Sequence, residues 1–333
     1  MKNYNKKLLI SLFSFLLAAS GLNYIVNPYN IFSQHFFKNL LKPEAKVQER
    51  LTKPIGLKID KRKISAVFMG TSRADLALNK DDYKLLTGEN AEIIAIGGLE
   101  FPETEKMISI ALKTHPEIKK IYMAIDFQTF NKNAAKINDN RSEITDNPKL
   151  TAQEMSSALL SVSTLGNSVW TIVKNLVGIE ERMFYHQGHK HIFVNPKIEN
   201  EFLASKTEYG GKYKNFKLDF NDLESFKNYV NKLKSQGYEV KLFIMPTHIT
   251  LQNLITESGQ REQYDLWSEK LSEISDVWDF NIPNEYTQEK IKPDMQYFFD
   301  GSHSTHKFGK MIFEDLMTKT PSVAKFIPKK DGG

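Results

Sequence analysis

Short apolar runs alternate with amphipathic stretches through most of the chain. Residues 64–70 (ISAVFMG), 91–98 (AEIIAIGG), 118–127 (IKKIYMAIDF), 238–246 (YEVKLFIMP) and 276–281 (DVWDFN) read as five strands. Runs of this length bounded by turn residues are the mark of buried strands. Helices are predicted between them. Met107, Ile108, Ile110 and Ala111 make one helical apolar face. Leu223, Phe226, Val230 and Leu233 recur at i, i+3, i+7 and i+10, and Gly237 then supplies a stop. Strands alternating with helices predict an α/β fold, a three-layer sandwich with a central, mostly parallel sheet covered on both faces.

Residues 131–216 break that rhythm. They begin with the polar stretch NKNAAKINDNRSEITDNPK. Thr151 and Glu154 then form a capping box ahead of a helix through MSSALLSVSTLGNSVWTIVKNL. The stretch reads as a helical and loop insertion that covers or shapes a binding face. The boundaries that follow are an anchor or signal over 1–26, a membrane-proximal connector over 27–63, the α/β domain over 64–320, and a solvated tail over 321–333. No repeat recurs at a fixed period.

The first 26 residues stand apart. Lys2, Lys6 and Lys7 precede LLISLFSFLLAA (8–19), and SGLNYIV extends the run to Val26. Basic residues before an apolar run keep the N-terminus in the cytoplasm. Residues 8–26 make roughly 28 Å of helix, just enough to span a bilayer. A retained transmembrane helix is the favoured reading. A cleaved signal peptide is the rival, because Ala18 and Ser20 occupy possible −3 and −1 positions. Both place the remainder outside the cytoplasm.

Composition narrows the chemistry. The 333 residues include no cysteine, which excludes a disulfide scaffold, a cysteine nucleophile and a thiolate metal site. The net charge is +5, but the three N-terminal lysines leave only +2 for residues 27–333. That is no electrostatic footprint for nucleic acid.

Open parallel sheets bind ligands beyond the carboxyl ends of their strands. Gly70-Thr71-Ser72-Arg73 follows the first strand, Gly97-Gly98 the second, Asp126 ends the third, and Thr247-His248 follows the fourth. Asp300-Gly301-Ser302-His303 precedes the last helix. A serine hydroxyl needs a base to act as a nucleophile, and an acid orients that base. The candidate set is Ser72 as nucleophile, His303 as base and Asp300 as its orienting acid, with Asp300 and His303 on one face of a helical turn. The N–H groups of Ser72 and Gly98 are candidate oxyanion donors. Arg73 is read either as an anion-recognition group or as the partner of Asp75 or Asp126. His248 either faces the cleft or caps a helix.

The order of these blocks resembles the SGNH (GDSL-like) hydrolase superfamily. Gly70-Thr71-Ser72 matches its first block, Gly97 or Gly98 its second, and Asp300 with His303 its last Asp-x-x-His block. The anchor followed by NYIVNPYNIF, the GTSR turn, AIDFQTF and YFFDGSHSTHKFG further resemble its exported, membrane-anchored members. Those include alginate O-acetylation proteins and the D-alanyl transfer protein of teichoic acid synthesis. The resemblance implies an SGNH/flavodoxin-like fold and a serine acyltransferase or esterase in the bacterial cell envelope. It implies a polysaccharide or other glycan acceptor, a multi-pass membrane acyltransferase as acyl donor, and no cofactor. One departure matters. The superfamily's third block carries an asparagine that donates to the oxyanion, whereas this strand ends in Asp126, with Gln128 and Asn131 nearby. An ionised aspartate cannot donate. The rival reading is therefore an inactive SGNH-fold protein that binds glycan or scaffolds an assembly complex.

The remaining candidates are weaker. His186, His189 and His191 cluster, but their spacing fits no zinc signature, so no metal is expected. His306 reads as structural or substrate-facing. Trp267 and Trp278 are expected in the core, and so is Trp170, where an exposed aromatic would instead suit sugar stacking. A cytoplasmic nucleotide-binding protein is disfavoured by the export signal. The turn G-T-S-R-A-D also has neither a dinucleotide fingerprint nor a phosphate-loop lysine.

Overall fold

The computed structural model describes residues 2–29, 31–32, 49–134, 144–179, 183–186, 189–192 and 197–330, with the backbone alone over 2–3, 183–186 and 189–192. In chain order the elements are α1 (Lys2–Val26), α2 (Glu49–Ile59), β1 (Ala66–Met69), α3 (Ser72–Ala77), α4 (Lys80–Thr87), β2 (Ala91–Ile93), α5 (Phe101–Thr114) and β3 (Lys120–Ile125). After a 3-10 turn (Phe127–Phe130) come α6 (Ala152–Leu160), α7 (Val162–Val177), β4 (Met183–His186), β5 (His189–Ile192), α8 (Ile198–Lys214) and α9 (Phe220–Ser235). The chain closes with β6 (Glu239–Ile244), α10 (Ile249–Glu257), α11 (Arg261–Ile274), β7 (Val277–Asp279), α12 (His306–Leu316) and β8 (Lys325–Ile327). Two compact units result, one from residues 1–60 with 142–193, the other from 61–141 with 194–333. The stretch 131–216 is thus divided, and α8 belongs with the second unit.

The second unit is α/β. Its six-stranded sheet has the order β2-β1-β3-β6-β7-β8 and is parallel except at β8. All four residues of β1 and the last five of β3 are buried, as strands shielded on both faces require. Phe68, Tyr122 and Phe243 share one core cluster with Ala74, Ala77 and Tyr83, and with Phe308, Ile312 and Phe313 of α12. Phe68 stacks on Tyr122 with ring centroids 4.4 Å apart. Trp267 and Trp278 lie in the core. The stretch expected to be a solvated tail contains β8, which pairs antiparallel with β7. Its three-residue run between lysines carries too little pattern to announce a strand.

Two glycines set how closely the elements carrying the candidate site approach. A Cβ on Gly70 would meet the Cβ atoms of Ala74 and Ala124 at 2.7 Å. A Cβ on Gly309 would lie 1.8 Å from the Ala77 carbonyl oxygen. Only glycine lets α12 dock this tightly on the end of α3.

The first unit is built on α1. Its residues Tyr4–Val26 are long and apolar enough to cross a membrane, a property shared by anchors and signal sequences. Asn27 ends the helix at φ 49°, and its Oδ1 accepts the N–H groups of Ile31 (2.9 Å) and Phe32 (3.3 Å). α1 packs on α6 and α7. α6 opens with the Thr151–Glu154 capping box, and Glu154 also pairs with Lys58 at 2.5 Å. Trp170, expected in the core, is 41% exposed on α7. β4 and β5 form an antiparallel pair. The side chains of His186, His189 and His191 lie outside the described residues.

Candidate active site

Ser72 is the first residue of α3, directly after the buried strand β1. Thr71 is the N-cap, and its Oγ1 accepts the Arg73 N–H at 3.5 Å. The Ser72 N–H belongs to the first turn, where a helix offers no internal acceptor. The serine therefore stands at the carboxyl end of the sheet with its hydroxyl turned out of the helix.

His303 and Asp300 reach it from the loop before α12. This loop is not the helical turn that the three-residue spacing suggested. Asp300 Oδ1 accepts the N–H groups of Ser302 (2.6 Å) and His303 (2.9 Å), a side-chain-closed turn. Phe299 N–H donates to the His303 carbonyl at 2.9 Å, and Phe298 bridges Ser304, so the loop folds back on itself. Helix α12 begins only at His306. The loop is tied to the start of α10 as well, because the N–H of its N-cap, His248, donates to the Gly301 carbonyl at 3.0 Å.

The result is one hydrogen-bonded line. Ser72 Oγ lies 3.0 Å from His303 Nε2, and His303 Nδ1 lies 2.8 Å from Asp300 Oδ2. Burial pushes the Asp300 carboxyl up. The charge and hydrogen bond of His303 and the two backbone N–H donors outweigh burial and hold it at about 2. Asp300 is then an acceptor only, which assigns the proton to His303 Nδ1 and leaves Nε2 as the acceptor facing Ser72. Ser302 Oγ also lies 3.0 Å from Nδ1. Sequence reading missed Ser302, although serine two positions after an aspartate is a common turn signal.

Arg73 and Asp126 sit behind this line. Arg73 Nη1 donates to Asp126 Oδ1 at 2.8 Å, and Thr71 Oγ1 donates to Asp126 Oδ2. The side chains of Arg73 and Asp126 are 5% and 0% exposed. Arg73 Nε and Nη2 are buried without a hydrogen bond, and the guanidinium lies 5.1 Å from the centroid of the Tyr209 ring. Of the two readings of Arg73, pairing with Asp126 is the one found. Both charges are spent on each other, and the pair ties the GTSR turn to the end of β3.

His248 is buried and caps α10. Its Nδ1 accepts the Thr250 N–H at 3.3 Å, and its Nε2 meets the Glu289 carbonyl at 2.8 Å. Both ring nitrogens are engaged, and burial pushes its pKa down, which suits a neutral cap. Gly98 is exposed in the loop after β2, with φ 61°. That loop is aligned on the site because the Ile96 N–H donates to the Gly70 carbonyl at 3.0 Å. An apolar cavity adjoins the far side of the GTSR turn, lined by Thr71, Leu99, Phe101, Asp126 and Phe226 among others. Ser72, Asp300 and His303 do not line it. Among the described residues no cluster of histidine and acidic side chains could hold a metal ion.

The arrangement can therefore move a proton from a serine hydroxyl to an imidazole held by a carboxylate. The chain matches no protein-family model, and no curated protein matches its sequence.

Proposed function

We propose that the chain is an exported, membrane-anchored serine acyltransferase or esterase of SGNH-like, three-layer fold that acts on a cell-surface or secreted polysaccharide. The observation that carries this reading is the continuous line from Ser72 Oγ through His303 to Asp300. Support for the fold comes from the buried strands β1 and β3. Their side chains share a cluster with α3, α4 and α12, while α5 packs on β1 and α9 on β6.

The chemistry follows from the geometry. His303 Nε2 takes the Ser72 proton as Oγ attacks the acyl carbonyl. The tetrahedral intermediate collapses, and the leaving alcohol takes that proton from His303. This leaves the acyl group on Ser72. A sugar hydroxyl, or water in an esterase, then gives its proton to Nε2 and attacks the acyl-enzyme, and the proton returns to Ser72. Asp300 keeps Nδ1 protonated and stabilises the imidazolium. The N–H groups of Ser72 and Gly98 are the proposed oxyanion donors. The acyl group is most simply acetyl, delivered by a multi-pass membrane acyltransferase.

A second reading is favoured by Asp126. It stands where the superfamily has an amide donor, yet it is locked to Arg73 and Thr71. Loss of one oxyanion donor costs roughly 2.7–4 kcal/mol of transition-state stabilisation. A glycan-binding or scaffolding protein of the same fold is the alternative.

The test uses the full chain in detergent with a chromogenic acetyl ester, with and without oligosaccharides. Ester cleavage that disappears in Ser72→Ala and in His303→Ala is expected, with acetylated sugar if transfer dominates. Full turnover in Ser72→Ala would overturn the serine mechanism. Glycan binding without turnover would favour the scaffold.

A further inference from the structure

Helix α7 inverts the side-chain distribution of a helix in water. Thr164, Ser168, Thr171 and Lys174 form its buried stripe. The exposed side carries Val162, Val169, Trp170, Val173, Leu176 and Val177, with Val162 at 87% and Leu176 at 81%. Lys174 is the only charged residue in the helix, and it is buried. The exposed surface of α7 therefore bears no charge along its whole length. An amphipathic helix on a protein in water shows the reverse pattern.

α1, against which α7 packs, is inverted in the same way. Leu8, Leu9, Phe13, Phe15 and Leu17 are all more than half exposed, whereas Asn23 is buried. Asn23 Oδ1 accepts the Ser168 Oγ–H at 2.7 Å, and its Nδ2 donates to the Leu159 carbonyl at 2.7 Å. Asn167 Nδ2 donates to the Tyr29 hydroxyl at 2.9 Å. Small polar side chains bonded between helices, with apolar side chains facing out, are how helices pack in hydrocarbon. The position fits as well. Tyr4–Val26 spans about 34 Å at ~1.5 Å per residue, slightly more than a hydrocarbon core of ~30 Å. Asn23 therefore lies where α1 leaves the core. Trp170 is the residue type enriched at that depth.

We propose that α7 is a membrane-contacting helix, with its Val169–Val173–Leu176 side among the acyl chains of the bilayer beside the exit of α1. The inference rests on α1 being retained as the anchor. Lipid is the occupant favoured over protein because α1 and α7 share the inversion, and because Ser168 and Asn23 bond to each other between the two helices.

The chain has no cysteine, so single-cysteine variants carry one label each. Val169→Cys, Val173→Cys and Leu176→Cys would be spin-labelled in the full chain reconstituted into phosphatidylcholine liposomes. Phe13→Cys on α1 and Glu224→Cys on α9 serve as references. Collision with oxygen and with a water-soluble nickel chelate is then measured. The α7 labels should follow Phe13, with high oxygen and low chelate access, and Glu224 should show the opposite. If the α7 labels follow Glu224 while Phe13 stays in lipid, the inference is overturned and the anchor stands. If the α7 labels are shielded from both probes, a protein surface covers the face, which also overturns it. If Phe13 itself is open to the chelate, the anchor fails and the inference with it.

Discussion

Ser72 and Arg73 are neighbours in the chain, yet each joins a separate cluster built around a carboxylate. Ser72 meets His303 and Asp300, whose side chains are 22% and 17% exposed. Arg73 meets Asp126, and that pair is sealed at 5% and 0%. In the first cluster the carboxylate's partner is an imidazole, which keeps one ring nitrogen protonated and offers the other as a proton acceptor. In the second it is a guanidinium, which offers no acceptor. The first arrangement can pass a proton and the second can only pin backbone. One turn of helix thus presents a reactive side chain outward and holds itself in place with the next residue.

Breaking the outward cluster should have the largest effect. Ser72→Ala or His303→Ala should lower acyl transfer by roughly 10⁴- to 10⁶-fold, and Asp300→Asn by about 10⁴-fold, with thermal stability little changed in Ser72→Ala, which leaves the His303–Asp300 pair intact. Breaking the buried pair should instead act on stability. Arg73→Met would leave the Asp126 carboxylate buried without its cation and should cost about 3–5 kcal/mol in denaturant unfolding. Arg73→Met with Asp126→Leu should recover much of that loss, because neither charge then stays behind. Gly309→Ala tests the docking that carries both clusters. Its Cβ would strike the Ala77 carbonyl, so ~1–3 kcal/mol of stability should be lost together with activity, as α12 is pushed off α3.

pH distinguishes two carboxylates by sign. Asp300 is held at about 2, below its ordinary 3.8. It therefore contributes about 2 kcal/mol that is present above pH 3.8 and lost as pH falls through about 2. Asp279, buried at the end of β7, is pushed up to about 6 by burial, against the Asn281 N–H that it accepts. The folded chain holds that proton longer than the unfolded chain, so stability falls as pH rises from 3.8 through about 6. Asp279→Asn should flatten that decline, and Asp300→Asn should flatten the acid limb. Urea midpoints between pH 2 and pH 7 check both.

The parallel strands were legible because β1, β3 and β6 are local apolar runs. The site was legible in its order, with serine after the first strand and Asp-x-x-His before the last helix. Its geometry was not. Asp300 reaches His303 through a turn closed by its own side chain, and spacing alone suggested a helix. The Arg73–Asp126 pair joins residues 53 positions apart, a separation at which sequence alone leaves Asp75, Asp126 or a bound anion open as the partner of Arg73. β8 is too short and too rich in lysine to read as a strand. Trp170 is exposed although it reads as core, because apolar periodicity says which residues share a face and not whether that face is covered.

The most direct test of the central claim is covalent. The full chain would be treated with a fluorophosphonate, which reacts only with an activated serine, and its intact mass and modified peptide determined. The account predicts a single adduct on Ser72, absent in Ser72→Ala and strongly slowed in His303→Ala. A folded chain that gains no adduct, or labels equally well in Ser72→Ala, would contradict it.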